Sequence, residues 1–197
     1  MIYFTSDTHF GHANVIRFAG RPWQTIEQMD AALAASINAR VGMRDELWIL
    51  GDFSYRLGRD KALAIRQSIT CRRIHLVPGN HDRNWAVPEL DGAFILEPPI
   101  AKIKYEGHRF VCSHYPIMDW EGMRRGSIQL HGHIHSRPEY NERNQDRGLF
   151  RYDVGVDANG YRPVSIEEVM AFFDGVESGG RVNWREWDEP LATEEQR

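Results

Sequence analysis

Cysteine is scarce in this chain of 197 residues: only Cys71 and Cys112 occur, far apart and outside any CxxC spacing. That excludes a disulfide framework and a thiolate zinc site, and it fits a reducing cytoplasm. Long apolar runs are also missing, so no stretch reads as a bilayer span. The N-terminus opens directly into Ile2, Tyr3 and Phe4 without a basic leader, and a targeting segment is not expected. There is no excess of positive charge either. At a formal net charge of −4 the chain has no global basic field to attract nucleic acid, although a local basic groove stays open. Repeats and low-complexity tracts are absent.

What remains is ordinary globular composition, 42% hydrophobic and 26% charged, with both signs scattered. Its length suits one domain with a sizeable core. Apolar runs alternate with helical patterns in a βα rhythm, which predicts a layered α/β domain. "MIYFT" reads as a strand, Ala13 to Phe18 as a short helix, and "TIEQMDAALAASINARV" as a helix opened by a capping box from Thr25 to Gln28. "ELWILGD" and "RRIHLVPGNHD" read as buried strands around the helix "RDKALAIRQSI". The next segment, "AKIKYEGHRFVCSH", predicts a hairpin turning at Glu106-Gly107. "SIQLHGHIH" and "GLFRYDVGVDA" add two strands, and "SIEEVMAFF" a last helix capped from Ser165 to Glu168. We therefore expect a domain over residues 1–173. A polar tail over 174–197 follows, in which Trp184 and Trp187 are candidates to dock.

The polar residues fall at particular places. Asp7, Asp52, Asn80, His114 and His133 each stand at or just after the end of an apolar strand, where an α/β sheet presents its binding crevice. If the backbone stays extended there, Asp7 and His9 face one point, as do His133 and His135. Imidazole, carboxylate and amide oxygen form a mixed donor set suited to manganese, iron or zinc. Some seven such groups exceed the needs of one four-coordinate ion, so two ions sharing a carboxylate is the economical reading, with Asp52 as the bridge. Singly, Asp-x-His, Gly-Asp, "PGNHD" and "HGHIH" read as caps, turns or a polar strand. Their conjunction, in order and each behind a strand, does not.

The series Asp7-x-His9, Gly51-Asp52, Gly79-Asn80-His81-Asp82, His114 and Gly132-His133-x-His135 resembles the calcineurin-like metallophosphoesterase superfamily. "SDTHFGHANVI" and "VGVDANGYRPVS" are similar to its small bacterial members. The resemblance implies a four-layer α/β/β/α sandwich of two mixed sheets flanked by helices. It implies one metal on Asp7, His9 and His135, a second on Asn80, His114 and His133, and Asp52 shared. The pair would be two divalent ions, manganese first, with iron, zinc or nickel as alternatives. Two ions roughly 3.5 to 4 Å apart share a hydroxide that acts as nucleophile. His81 is then the catalytic imidazole, and Asp82 is expected to orient its ring.

Other residues carry weaker readings. His12, at the start of a short helix, is a candidate for touching phosphate or for capping that helix. Trp120 and Arg124 are candidates to line the substrate cleft. His131 is expected to support the centre without ligating. The chain has "GDFSYR" and "GNHD" where protein phosphatases of the superfamily carry GDxVDR and GNHE, which disfavours a protein phosphatase. The tail is too small for the added domain of the superfamily's repair nucleases. The expectation is a phosphodiesterase acting on small phosphoesters, nucleotide-like ones among them, with a phosphomonoesterase of nucleotidase type, a non-catalytic scaffold and a single structural metal as the other readings. Nucleic acid as a partner and the oligomeric state are left open.

Overall fold

The computed structural model describes residues 1–82 and 93–179. The tail beyond residue 179, with Trp184 and Trp187, lies outside the described residues. The expected four-layer α/β/β/α sandwich is present. Among the described residues its strands form one sheet of five and one of four.

In the first sheet, β1 (Ile2–Thr5), β2 (Glu46–Ile49), β3 (Arg73–Leu76) and β4 (Ile95–Leu96) are parallel, and β9 (Val164–Ser165) pairs antiparallel with β1. The register aligns Thr5 with Ile49 and Ile49 with Leu76, so three strands end level. Alternation then sorts their side chains. Leu47, Ile49, Ile74 and Leu76 enter one core with Met29, Leu33 and Ile37 of α2 (Ile26–Arg40) and Ala62 of α3 (Arg59–Ser68). Phe4, Trp48, Leu50 and Val77 enter a second core, between the sheets. There they meet Phe110, Cys112, Ile128 and Leu130, and Ile166, Val169 and Phe173 from the region of α5 (Ile166–Phe172).

The second sheet is the predicted hairpin, β5 (Ile100–Tyr105) and β6 (His108–Ser113), extended by β7 (Ile128–His131) and β8 (Arg151–Asp153) in parallel. Glu106 and Gly107 both take positive φ, as a tight two-residue hairpin turn requires. Helix α1 (Ala13–Phe18) lies where the sequence predicts it, and both capping boxes form, at Thr25/Gln28 and Ser165/Glu168. No helix among the described residues is long and apolar enough to cross a membrane.

One helix escaped the apolar pattern. Helix α4 (Pro138–Asp146) docks on the edge strand β8 through amides: Asn141 Nδ2 donates to the Asp153 carbonyl at 3.0 Å, and the Asp153 N–H donates to Asn141 Oδ1 at 2.7 Å. Asn144 Nδ2 donates to the Arg151 carbonyl at 3.2 Å. The helix satisfies an open sheet edge with polar side chains, so hydrophobic periodicity has nothing to detect.

Candidate metal centre

The strand ends of both sheets meet at one seam. Ser6, just past β1, bridges in parallel with Gly155, just past β8. Beyond β1 and β2 the chains keep pairing as they leave the sheet: the Asp7 N–H donates to the Gly51 carbonyl at 3.1 Å and the His9 N–H to the Asp52 carbonyl at 2.9 Å.

The backbone here is not extended, and this corrects the sequence reading. Asp7, His9, Asp52, His133 and His135 all lie in the left-handed region, with φ between 47° and 74°. Each such residue costs roughly 1 to 2 kcal/mol over a right-handed one. The left-handed turns aim the side chains where a pleat would not. As a result His133 and His135 do not act as one chelating arm; they part company.

Two groups of donors form. Asp7, His9 and His135 converge in one, and Asp52, His114 and His133 in the other, with donor atoms within 4.8 Å inside each group. Asn80 joins the second, its Oδ1 2.9 Å from His114 Nε2. Close backbone approach makes room for them. A Cβ on Gly51 would sit 2.3 Å from His114 Nδ1, and one on Gly132 would sit 2.3 Å from Asp7 Oδ2. Glycine is therefore required at both positions.

The unpaired atoms fit cations. Asp7 Oδ1 and His9 Nε2 are buried without a hydrogen-bond partner. His114 donates from Nδ1 to the Leu50 carbonyl at 2.8 Å, so in the neutral ring Nε2 turns its lone pair toward Asn80 Oδ1 and toward Asp52 Oδ2, 3.5 Å away. Acceptors converge there with no proton between them, a situation a divalent ion resolves. Desolvation, with help from His135 and Arg21, holds His9 far below the usual imidazole range, and desolvation and His114 lower His133. Both rings therefore keep a lone pair to offer. Burial pushes the Asp7 carboxyl up to about 7, although His135 pulls the other way.

Supporting residues that the sequence reading missed hold the donors. His135 donates from Nδ1 to Asp157 Oδ2 at 2.7 Å, which leaves its Nε2 for the centre. Burial alone would lower His135, but Asp157 and Asp7 outweigh it and raise its pKa. Asp157 is in turn gripped by the buried Arg21 through two bonds of 2.9 Å. Arg21 also donates to the Thr8 and Asp7 carbonyls, at 3.0 and 2.6 Å. In the sequence they are only two charges near apolar residues, Arg21 after Gly20 and Asp157 in "VGVDA"; nothing local says that they meet.

His81 stands beside the shared carboxylate. Its backbone N–H donates to Asp52 Oδ1 at 2.9 Å, and its Nε2 lies 3.9 Å from Asp52 Oδ2. Asp82 does not orient that ring. Its buried carboxylate accepts the N–H groups of Asp52 at 2.7 Å, Phe53 at 3.1 Å and Gly79 at 2.8 Å, clamping two motif loops together. With all its bonds spent on backbone, Asp82 is a positioning residue.

The three substrate-contact candidates fare differently. His12 precedes α1 without capping it; its ring stacks on Tyr55 at 3.8 Å and its Nδ1 lies 3.3 Å from His9 Nδ1. Trp120 is buried rather than cleft-lining, packed with Val111 and Leu149 while its Nε1 donates to the Ser127 carbonyl at 3.0 Å. It anchors the loop that carries Arg124, which is exposed in a short turn, Met123–Arg125. His131, on β7, bonds the Gly132 carbonyl at 2.9 Å and Tyr140 Oη at 3.1 Å, and so braces the turn into His133.

Known proteins resemble this chain over most of its length. An uncharacterised protein of Methanocaldococcus jannaschii is 30% identical over 177 residues, covering 88% of this chain and 91% of its own. The gene 66 protein of Mycobacterium phage D29 is 31% identical over 202 residues, covering 90% of this chain and 98% of its own. The crystal structure of a protein of unknown function from Aquifex aeolicus matches with a TM-score of 0.68 at 25% identity, over 87% of this chain and 98% of that one. A family model described as calcineurin-like phosphoesterase matches residues 1–155, a span that takes in every donor from Asp7 to His135. The chain belongs to the calcineurin-like phosphoesterase family.

Proposed function

We propose that this protein is a phosphoesterase dependent on two divalent ions, manganese first among them, and that it favours phosphodiesters over phosphomonoesters. One observation carries the reading: Asp52 Oδ2 lies 3.5 Å from His9 Nε2 of one donor group and 3.5 Å from His114 Nε2 of the other. A single carboxylate oxygen between two imidazole groups suits a shared ligand. Asp7, His9 and His135 would hold one ion, and Asn80, His114 and His133 the other; such a pair would supply Lewis acidity toward phosphoryl oxygens and toward a water nucleophile.

The chain's own residues do the rest. His81 carries a proton at the edge of the centre and delivers it to the departing alkoxide, or hydrogen-bonds a phosphoryl oxygen as charge builds there. Asp82 keeps the Asp52 and Gly79 loops in register. The diester preference rests on the open setting of His81, whose side chain is 36% exposed, so that a second organic substituent on phosphorus has room. Cys71 and Cys112 are free and buried, which suits work in a reducing compartment such as the cytoplasm.

The test is hydrolysis of bis-p-nitrophenyl phosphate against p-nitrophenyl phosphate by the Mn²⁺-loaded protein, beside His81→Ala. We expect the diester to be preferred and its turnover to fall on the order of 100-fold or more in the variant, with metal content unchanged. Preference for the monoester would replace the diesterase reading with a phosphomonoesterase. Cleavage of neither would replace it with a binding scaffold.

A further inference from the structure

Two large side chains at the centre are left in solvent by the fold. Phe18, the last residue of α1, is 60% exposed, and Tyr115, just past His114, is 47% exposed. A single exposed aromatic on a surface needs no explanation. The positions of these two are not scattered. Phe18 meets the His135 ring edge-on at 5.4 Å and the His12 ring at 5.6 Å. Tyr115 meets the His133 ring at 4.5 Å and the His114 ring at 5.0 Å. One exposed aromatic thus stands against each donor group.

The backbone that carries each of them is tied down. Phe18 closes a helix whose entry is fixed at Gly11, where the N–H donates to Asp30 Oδ2 at 3.1 Å. The Tyr115 carbonyl accepts from Ser113 Oγ at 2.8 Å and from the buried Gln129 Nε2 at 3.2 Å. Aromatic platforms bind flat groups at low entropic cost, because only two side-chain torsions need fixing. Stacking accepts any π-face, so it selects for flatness rather than for one base.

A phosphodiester carries two organic groups, one on each side of phosphorus. We propose that Phe18 and Tyr115 are the specificity-determining residues of this centre, each stacking on one substituent, so that the preferred substrates are phosphodiesters bearing a flat aromatic group on both sides, aryl or nucleobase. This rests on the phosphodiesterase reading above and names the substrate class of the same site. It also assigns the two groups to different residues.

The test compares bis-p-nitrophenyl phosphate with methyl p-nitrophenyl phosphate, which share a leaving group and differ in the number of flat substituents. In Phe18→Ala and in Tyr115→Ala, KM for the bis-aryl ester should rise on the order of ten-fold, with the loss in KM more than in kcat. For the methyl ester only one of the two substitutions should matter. Phe18→Tyr and Tyr115→Phe, which keep the ring, should hold both values near wild type, whereas a loss of packing in an alanine variant would raise KM for both esters alike. Unchanged KM for both esters in both alanine variants overturns the assignment. If the wild-type protein cleaves neither ester, the phosphodiesterase reading falls, and calorimetric binding of adenosine monophosphate against inorganic phosphate decides the rim. Tighter binding of the nucleotide, erased by the alanine variants, supports the stacking role, and equal binding overturns it.

Discussion

The Nδ1 atoms of His9 and His12 lie 3.3 Å apart, and a single proton between them makes one ring the donor and the other the acceptor. With His9 Nδ1 as the donor, its Nε2, buried without a hydrogen-bond partner, keeps a lone pair for the centre. Stacked on Tyr55, His12 cannot swing away to another partner.

Replacing His12 with Phe keeps a ring on Tyr55 and removes the nitrogen. Affinity for Mn²⁺ should drop by about 10- to 100-fold, read by titration calorimetry, while the far-ultraviolet spectrum stays that of the native fold. Unaltered affinity would mean that His9 holds its orientation unaided.

Arg21→Met probes the second support. The substitution strands the Asp157 carboxylate in a buried site and frees the Thr8 and Asp7 carbonyls from their donor. We expect stability to fall by about 3 to 5 kcal/mol, measured from the denaturant midpoint at constant slope. A loss under 1 kcal/mol would show that water or His135 replaces the arginine.

Asp82 and His81 are neighbours with opposite predicted signatures. Asp82→Ala abandons three backbone N–H groups and should lower stability by several kcal/mol, each unsatisfied buried donor costing about 1 to 3. His81→Ala should leave the melting temperature within a few degrees of wild type and remove turnover instead. Matching melting curves for the two variants would contradict this division.

Acid stability has one identifiable contributor at the last helix. Glu168 is depressed to about 2: burial raises it, but the Ser165 N–H and the Arg162 and Arg40 side chains more than compensate. A depressed carboxylate stabilises the fold above its unfolded value, and the contribution disappears as pH falls through the folded value. Glu168→Gln, which keeps the capping amide contact, should therefore be less stable than wild type at pH 7, and the gap should close between about pH 4.5 and 2. Because the side chain is 40% exposed, solvent and salt screen it, and the gap should also narrow at 1 M NaCl.

Most of the fold was open to sequence reading, because strands buried on both faces and boxed helix starts leave local marks. Ile2–Thr5, Ile26–Arg40 with its box at Thr25/Gln28, and the hairpin at Glu106-Gly107 show this. So were the donor residues, since each stands just beyond an apolar run. Their conformation was not: left-handed φ at Asp7 or His135 arises from contacts with chain segments far away in sequence. Asp82 was misread for the same reason, as the loop it clamps at Asp52 is 30 positions earlier. Helix α4 and the two-residue strands β4 and β9 depend on partners, not on their own pattern.

The division of donors between the sheets has a consequence for assembly. Asp7 and His9 follow β1 in the first sheet while His135 follows β7 in the second; Asp52 follows β2 in the first while His114 and His133 follow β6 and β7 in the second. Each group draws on both sheets, and neither sheet alone completes either one. Tight metal uptake is therefore a receipt for completed docking of the two halves, and a chain with its layers slipped or apart is barred from chemistry before any substrate arrives.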